Sequence, residues 1–210
     1  MKTNLIYVLM LALLFAGCSS TTIIDPETTR HGMRQTRSIS SEEIRIVAED
    51  AVKEAQANAK FQEFMAAYKV EMKDPKAIPV LKLDRLVNDT DDPDLNVTEL
   101  TDIINTAWLN ANIVNITMAE GAGKTGSIAG ARAIQDDPNF DQTTTATEGT
   151  LIAARLVLRP RIISNQIRDG RTKSVTRTFV LEMADIRTGL IMWKYTRQLG
   201  FLKKKGILGL

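Results

Sequence analysis

The sequence predicts one mixed α/β domain of the α+β kind, a small sheet of about four to five strands flanked by helices. It also predicts a long N-terminal helix and a flexible tether ahead of that domain. Three observations carry this. Apolar residues recur at helical spacing through 41–73 and again through 97–111. Short apolar segments of strand character lie at 80–87, 113–118, 156–163, 175–183 and 190–199. No segment repeats at a fixed period, so solenoids and propellers are excluded.

The first element is an address rather than part of the fold. Lys2 precedes an unbroken apolar run of 11 residues, Leu5 to Phe15. A membrane-spanning helix needs about 20 such residues, whereas this length suits a signal peptide. Ala16 and Gly17 then lead into Cys18, the only cysteine of the chain. The pattern resembles a bacterial lipobox, with Phe15 in place of the commonest Leu. That resemblance implies removal of 1–17 and acylation of Cys18, the candidate lipid anchor. Ser19 follows Cys18, where Asp would mark inner-membrane retention in enteric bacteria. The expected location is therefore the outer membrane, facing the periplasm. From 18 to 39 the chain is rich in Ser, Thr and Arg without apolar periodicity, and reads as a tether.

Ser40-Ser41-Glu42-Glu43 is a capping box. Behind it Ile44, Val47, Ala48, Ala51, Val52 and Ala55 form one stripe, continued by Phe61, Phe64, Met65, Tyr68 and Met72, which reads as a core-packing face rather than a membrane or partner surface. The segment 40–75 is one long helix, or two with a bend near Asn58, ended by Pro75. The globular part spans 76–199. Val80–Val87 is its first strand. Asn96 caps a helix carrying Val97, Leu100, Ile103, Ile104, Ala107, Trp108 and Ala111. Ile113–Met118 is the second strand. Residues 119–148 are irregular, with a short helix near 127–134, and 151–154 end a helix. Leu156–Ile163 is the third strand, in which Pro160 marks an edge or a bulge. Val175–Met183 follows, then a turn at Asp185–Gly189 and a last strand, Leu190–Leu199. Residues 200–210, with Lys203-Lys204-Lys205, read as a basic tail.

Composition removes much enzymology. One cysteine excludes an intrachain disulfide and C-x-x-C pairs. One histidine, His31, excludes two-His metal motifs and lies in the tether. No nucleophile–base pair stands in a recognisable motif, so neither catalysis nor a cofactor is expected. Gly121-Ala122-Gly123-Lys124-Thr125 invites a phosphate-loop reading, but Met118 stands where that loop needs its first glycine. A flexible glycine loop is the expectation instead. Asp137-x-Asn139-x-Asp141 with Glu148 approaches a calcium loop, yet Gln142 occupies the glycine position.

Charge is unevenly spread. Residues 151–210 hold 13 Lys and Arg against 3 Asp and Glu, a balance of +10. Residues 1–150 hold 14 against 22, a balance of −8, and the two sum to +2. Either the basic half meets an acidic partner, or the halves neutralise each other within the fold. Arg168, Arg171 and Lys173 surround Asp169-Gly170, a turn between two strands, and are the candidate partner-binding residues. A periplasmic address argues against a nucleic-acid partner.

Together, the lipobox, Asn88-Asp89-Thr90, Ala107-Trp108-Leu109 and the hairpin Leu181-x-x-x-Asp185-x-x-Thr188-Gly189-x-Ile191-x-Trp193 resemble the LpoB family. These are outer-membrane lipoprotein activators of penicillin-binding proteins, related to the TolB N-terminal domain and to CsgG. The resemblance covers about 76–198 plus the signal. It implies a non-catalytic regulator that contacts a bifunctional penicillin-binding protein, a peptidoglycan synthase. The tether is shorter than the family's proline-rich one, and a rigid helix at 41–73 would supply ~50 Å of reach at 1.5 Å per residue. A curli-secretion-type envelope component is the alternative. The transmembrane hairpins of such a pore are not evident here.

Overall fold

The computed structural model describes residues 39–169 and 172–203; of 165–169, 172–176 and 200–203 it describes the backbone alone. The expected signal peptide, Cys18, the expected tether up to residue 38, Arg171 and residues 204–210 lie outside the described residues. Among the described residues, no helix is long and apolar enough to cross a membrane.

Helix α1 (Ser41–Ala57) starts at the expected box: Ser40 Oγ accepts from the Glu43 N–H and Glu43 Oε2 accepts from the Ser40 N–H, both at 3.2 Å. Its stripe, Ile44, Val47, Ala48, Ala51, Val52 and Ala55, is buried throughout. Asn58 then turns extended (φ −74°, ψ 125°) and its side chain caps α2 (Ala59–Glu71) through the Phe61 N–H. A polar side chain that satisfies the new helix's free N–H groups makes the bend fall here. Of α2 only Phe61 is fully buried; Phe64 and Met65 are partly covered and Met72 is exposed. The expected rigid spacer is thus overturned. The pair is broken at Asn58, and α1's stripe belongs to the domain core, packed on α3 (Val97–Asn110). A helix with so wide an apolar face cannot stand in water as a strut.

The sheet has six strands where four to five were expected. The order is β3-β1-β4-β5-β6, with β2 also paired to β4. Strands β1 (Val80–Leu83), β2 (Val87–Asp89) and β3 (Asn115–Ile116) are short and parallel to their neighbours. In contrast β4 (Leu156–Asp169), β5 (Thr172–Asp185) and β6 (Ile191–Lys203) are long and antiparallel. The expected strand 80–87 divides because Leu86 is drawn into the core, its N–H donating to the buried Thr101 Oγ1 of α3 at 3.2 Å. Pro160 sits on an interior strand, not an edge. The Asp84 N–H donates to the Leu158 carbonyl at 2.9 Å, and β2 pairs again from Arg161. Pro160 faces the intervening gap, where its missing N–H leaves no bond unmade. Strand β6 continues to Lys203, into the segment expected as a tail.

Helices α1, α2 and α3 cover one face of the sheet. There Trp108 of α3, fully buried, meets Trp193 of β6 edge to face at 5.7 Å, and Trp193 stacks on Tyr195 at 6.1 Å. The crossing from β3 to β4 carries the short helix α4 (Gly126–Arg132), near its expected place. Residues 151–154 are not helical. The glycine loop is pinned rather than loose. Gly121 adopts φ +78°, a Cβ there would lie 2.6 Å from the Leu83 carbonyl oxygen, and the Ala122 N–H donates to that same oxygen. Only glycine fits.

Candidate functional site

Alternation along β4 and β5 sorts their residues onto two faces. The buried set, Leu156, Leu158, Ile162, Phe179, Leu181, Met183, Trp193 and Tyr195, faces the helices. Strand register then fixes the reverse face in rows: Arg159–Glu182–Lys194, Arg161–Val180–Thr196, and Ile163–Thr178–Gln198. Lys194 Nζ pairs with Glu182 Oε1 at 2.9 Å. That hydrogen bond, with the charges of Lys194, Arg161 and Arg159, holds the Glu182 carboxyl below its ordinary range against the opposing effect of burial.

Of the expected contact residues, Arg168 and Lys173 are register partners near the end of the β4–β5 hairpin. Asp169 pairs with Thr172, and residues 170 and 171, of the expected turn, lie outside the described residues. Arg171 itself lies outside the described residues, as does Cys18.

The charge split is partly neutralised inside the fold. Arg155 forks onto Asp185 (Nε–Oδ1 2.8 Å, Nη2–Oδ2 3.1 Å) and reaches Glu71 of α2 at 3.1 Å. Arg187 binds the same Glu71 at 2.6 Å. Arg177 approaches Asp92 at 3.4 Å, and Arg197 meets Asp50 of α1 at 3.4 Å. Four cations of the basic half therefore meet acids of the N-terminal part. Burial would raise the Asp185 carboxyl, but the Arg155 fork and the Arg187 N–H (2.9 Å) hold it below its usual value. Arg155 also stands over the Phe64 ring at 5.5 Å and so fastens α2 to the sheet. By contrast Arg159 and Arg161 make no ion pair within 4 Å among the described residues.

Sequence reasoning missed both features. The reverse face was within reach, since Arg159 and Arg161 alternate with Leu158, Pro160 and Ile162. The Arg155–Asp185 fork was not, because 30 residues separate its members and no local pattern marks Arg155.

Among the described residues, no group of three His, Cys, Asp or Glu is placed to hold a metal. In the near-calcium loop, Asp141 Oδ1 accepts from the Thr143 N–H and hydroxyl, and Asp137 Oδ1 from Asn139. A hollow between α3 and the glycine loop, bordered by Thr101, Asn105, Thr117 and Gly123, has room for about one water molecule.

The family model described as peptidoglycan-synthase activator LpoB matches residues 43–199, taking in α1 and α2 as well as the sheet. Among solved structures, the chain is similar to the LpoB C-terminal domain from Salmonella enterica, with 14% identity, 75% of this chain and 98% of that chain covered, and a TM-score of 0.44. For the LpoB C-terminal domain from Escherichia coli the identity is 16%, the coverage 75% and 98%, and the TM-score 0.43. A lipoprotein from Neisseria meningitidis shows 13% identity over 62% of this chain and 90% of that one, with a TM-score of 0.33. No curated protein matches.

Proposed function

We propose, from the premise that this chain belongs to the LpoB family of peptidoglycan-synthase activators, that it is an outer-membrane lipoprotein which raises the activity of a bifunctional penicillin-binding protein by direct contact. The observation that carries this is the extent of the match: 43–199 takes in nearly the whole described domain. The role is regulatory, as the family's is, and the reading needs no cofactor. Acylated Cys18 anchors the chain in the outer membrane, and the domain faces the periplasm. Three acyl chains, at ~0.8 kcal/mol per buried methylene, make that anchor effectively permanent. Arg168, Arg171 and Lys173 at the hairpin end are part of the partner contact. The family match favours this reading over the curli-secretion alternative.

Glycan polymerisation by the organism's bifunctional synthase, measured with and without the full chain in detergent, tests the activity. A rise in rate is expected; an unchanged rate at saturating chain refutes the reading. Palmitate labelling tests the anchor separately, and Cys18→Ala should abolish it.

A further inference from the structure

We infer that the helix-free face of β4, β5 and β6 is a docking platform for a carboxylate-rich protein surface, with Arg159, Arg161 and Lys194 as its cationic contacts. This rests on the preceding reading and deepens it, placing the synthase's contact on a defined face.

The argument starts from unspent charge. Four described cations on the helix-covered face and at the sheet's end are paired: Arg155 with Asp185, Arg177 with Asp92, Arg187 with Glu71, Arg197 with Asp50. Among the described side chains of β4–β6, the acid on the reverse face is Glu182, set between Arg159 and Lys194 in the register. One carboxylate among three cations leaves these described side chains at +2. Glu182 bonds Lys194 directly and feels Arg159 and Arg161 only at longer range. It therefore gathers the cations without satisfying the guanidinium donors, five on each Arg.

Shape agrees with charge. Arg159 and Arg161 are two residues apart on one strand, so their Cα atoms stand about 6.7 Å apart, and neighbouring strands add about 4.8 Å steps. Beside Arg161 in the register lie the short side chains of Val180 and Thr196, and the next row holds Ile163 and Thr178. Charged posts beside the half-buried Ile163 suit a protein surface, whose carboxylates can be spaced to match and whose apolar atoms can cover Ile163. A lipid headgroup layer would use the charges alone.

The test compares charge reversal on and off the platform, in the full chain. Arg159→Glu with Arg161→Glu should weaken binding to the synthase about tenfold or more, through a slower association rate that depends less on salt. Lys60→Glu with Lys69→Glu on exposed α2 makes the same change in net charge and should alter binding less than about twofold. Arg159→Gln with Arg161→Gln should fall between, and it serves if the Glu pair does not fold. Melting temperatures check that each variant folds. If the wild-type chain neither binds nor stimulates the synthase, the functional reading fails and this inference with it. If the wild type does both and the Arg variants match it, the functional reading stands and the platform is wrong. If the Arg variants keep synthase binding but lose binding to vesicles containing phosphatidylglycerol, the face meets lipid, which also overturns the inference.

Discussion

Along the helix-covered face of β4, β5 and β6, Arg177, Asp185 and Arg197 each meet an opposite charge, and tryptophan and aliphatic side chains fill the space between. On the reverse of the same strands, Arg159 and Arg161 meet none within 4 Å among the described residues, and Glu182 and Val180 of β5 lie beside them in the register. Both faces share one backbone, so the contrast comes from alternate residues alone. Stability is concentrated on one side, which leaves the other free to change without unfolding the domain. Substitutions should therefore divide cleanly: changes toward the helices alter melting, and changes away from them alter contact.

The strongest blow to the covered face is Trp193→Ala. Trp193 is 3% exposed and holds the ring cluster between Trp108 and Tyr195. Truncation should cost about 3–5 kcal/mol, from lost burial and a cavity. At roughly 2–4 °C per kcal/mol for a domain of this size, the melting temperature should drop by about 6–20 °C. A shift of a degree or two in thermal circular dichroism would break the comparison, because the covered face would then not be where stability resides.

Arg155→Ala comes next. Its side chain is 16% exposed and that of Asp185 9%, so the loss strands a sheltered carboxylate at the hairpin turn. A fully buried pair would cost 3–5 kcal/mol; this partly exposed one should cost about 2–3. The pH dependence follows from Asp185, whose carboxyl is held below its ordinary value of 3.8. A depressed carboxyl binds fewer protons in the folded than in the unfolded state, so its stabilisation is complete above about pH 5 and is lost as pH falls through the folded-state value. Urea melts at pH 7 and pH 3 should therefore show a smaller gap between wild type and variant at the lower pH. An equal gap at both would place the effect in packing on Phe64 instead.

These residues also show what was legible in the sequence. The α1 stripe, the Ser40 box, the Asn58 bend, the α3 pattern and the turn from Asp185 to Gly189 were all readable. Each is a local pattern, set by helical period, a cap or a turn within a few residues. The α1 stripe is the core-packing face its periodicity indicates, and the spacer reading of 41–73 failed because periodicity does not say how far from the sheet a helix stands. The division of β1 from β2 was hidden because its cause, the Leu86 bond to Thr101, spans 15 residues. Ion pairs were the least legible. Glu71 gathers Arg155 and Arg187 from 84 and 116 residues away, and only the folded sheet brings them together.

Gly121→Ala asks how firmly the crossing over β1 is held. The added Cβ would meet the Leu83 carbonyl at 2.6 Å in a φ of +78°. A cost of about 1–3 kcal/mol is expected, with faster amide exchange at Ala122, whose N–H donates to that carbonyl. No change in melting or exchange would mean that the segment is loose, and that β1's outward side is as free of constraint as the Arg159–Lys194 row.

The smallest effect sharpens the comparison most, because it concerns an ion pair of similar length on the opposite face. Lys194–Glu182, at 2.9 Å, is geometrically the counterpart of Arg155–Asp185 at 2.8 Å. Its lysine, however, is 51% exposed, and water and salt screen the attraction. Lys194→Ala should therefore cost no more than about 0.5–1 kcal/mol at pH 7. The Glu182 carboxyl, held low first of all by the Lys194 hydrogen bond, should titrate at a higher pH in the variant, by NMR of the side-chain carboxyl. Because its folded-state value lies below its ordinary 4.5, the pair's small contribution is present above that pH and fades as pH falls. A loss equal to that of Arg155→Ala would make the two faces structurally equivalent. A small loss together with a clear rise in the Glu182 titration would show a pair that sets local charge without supporting the fold.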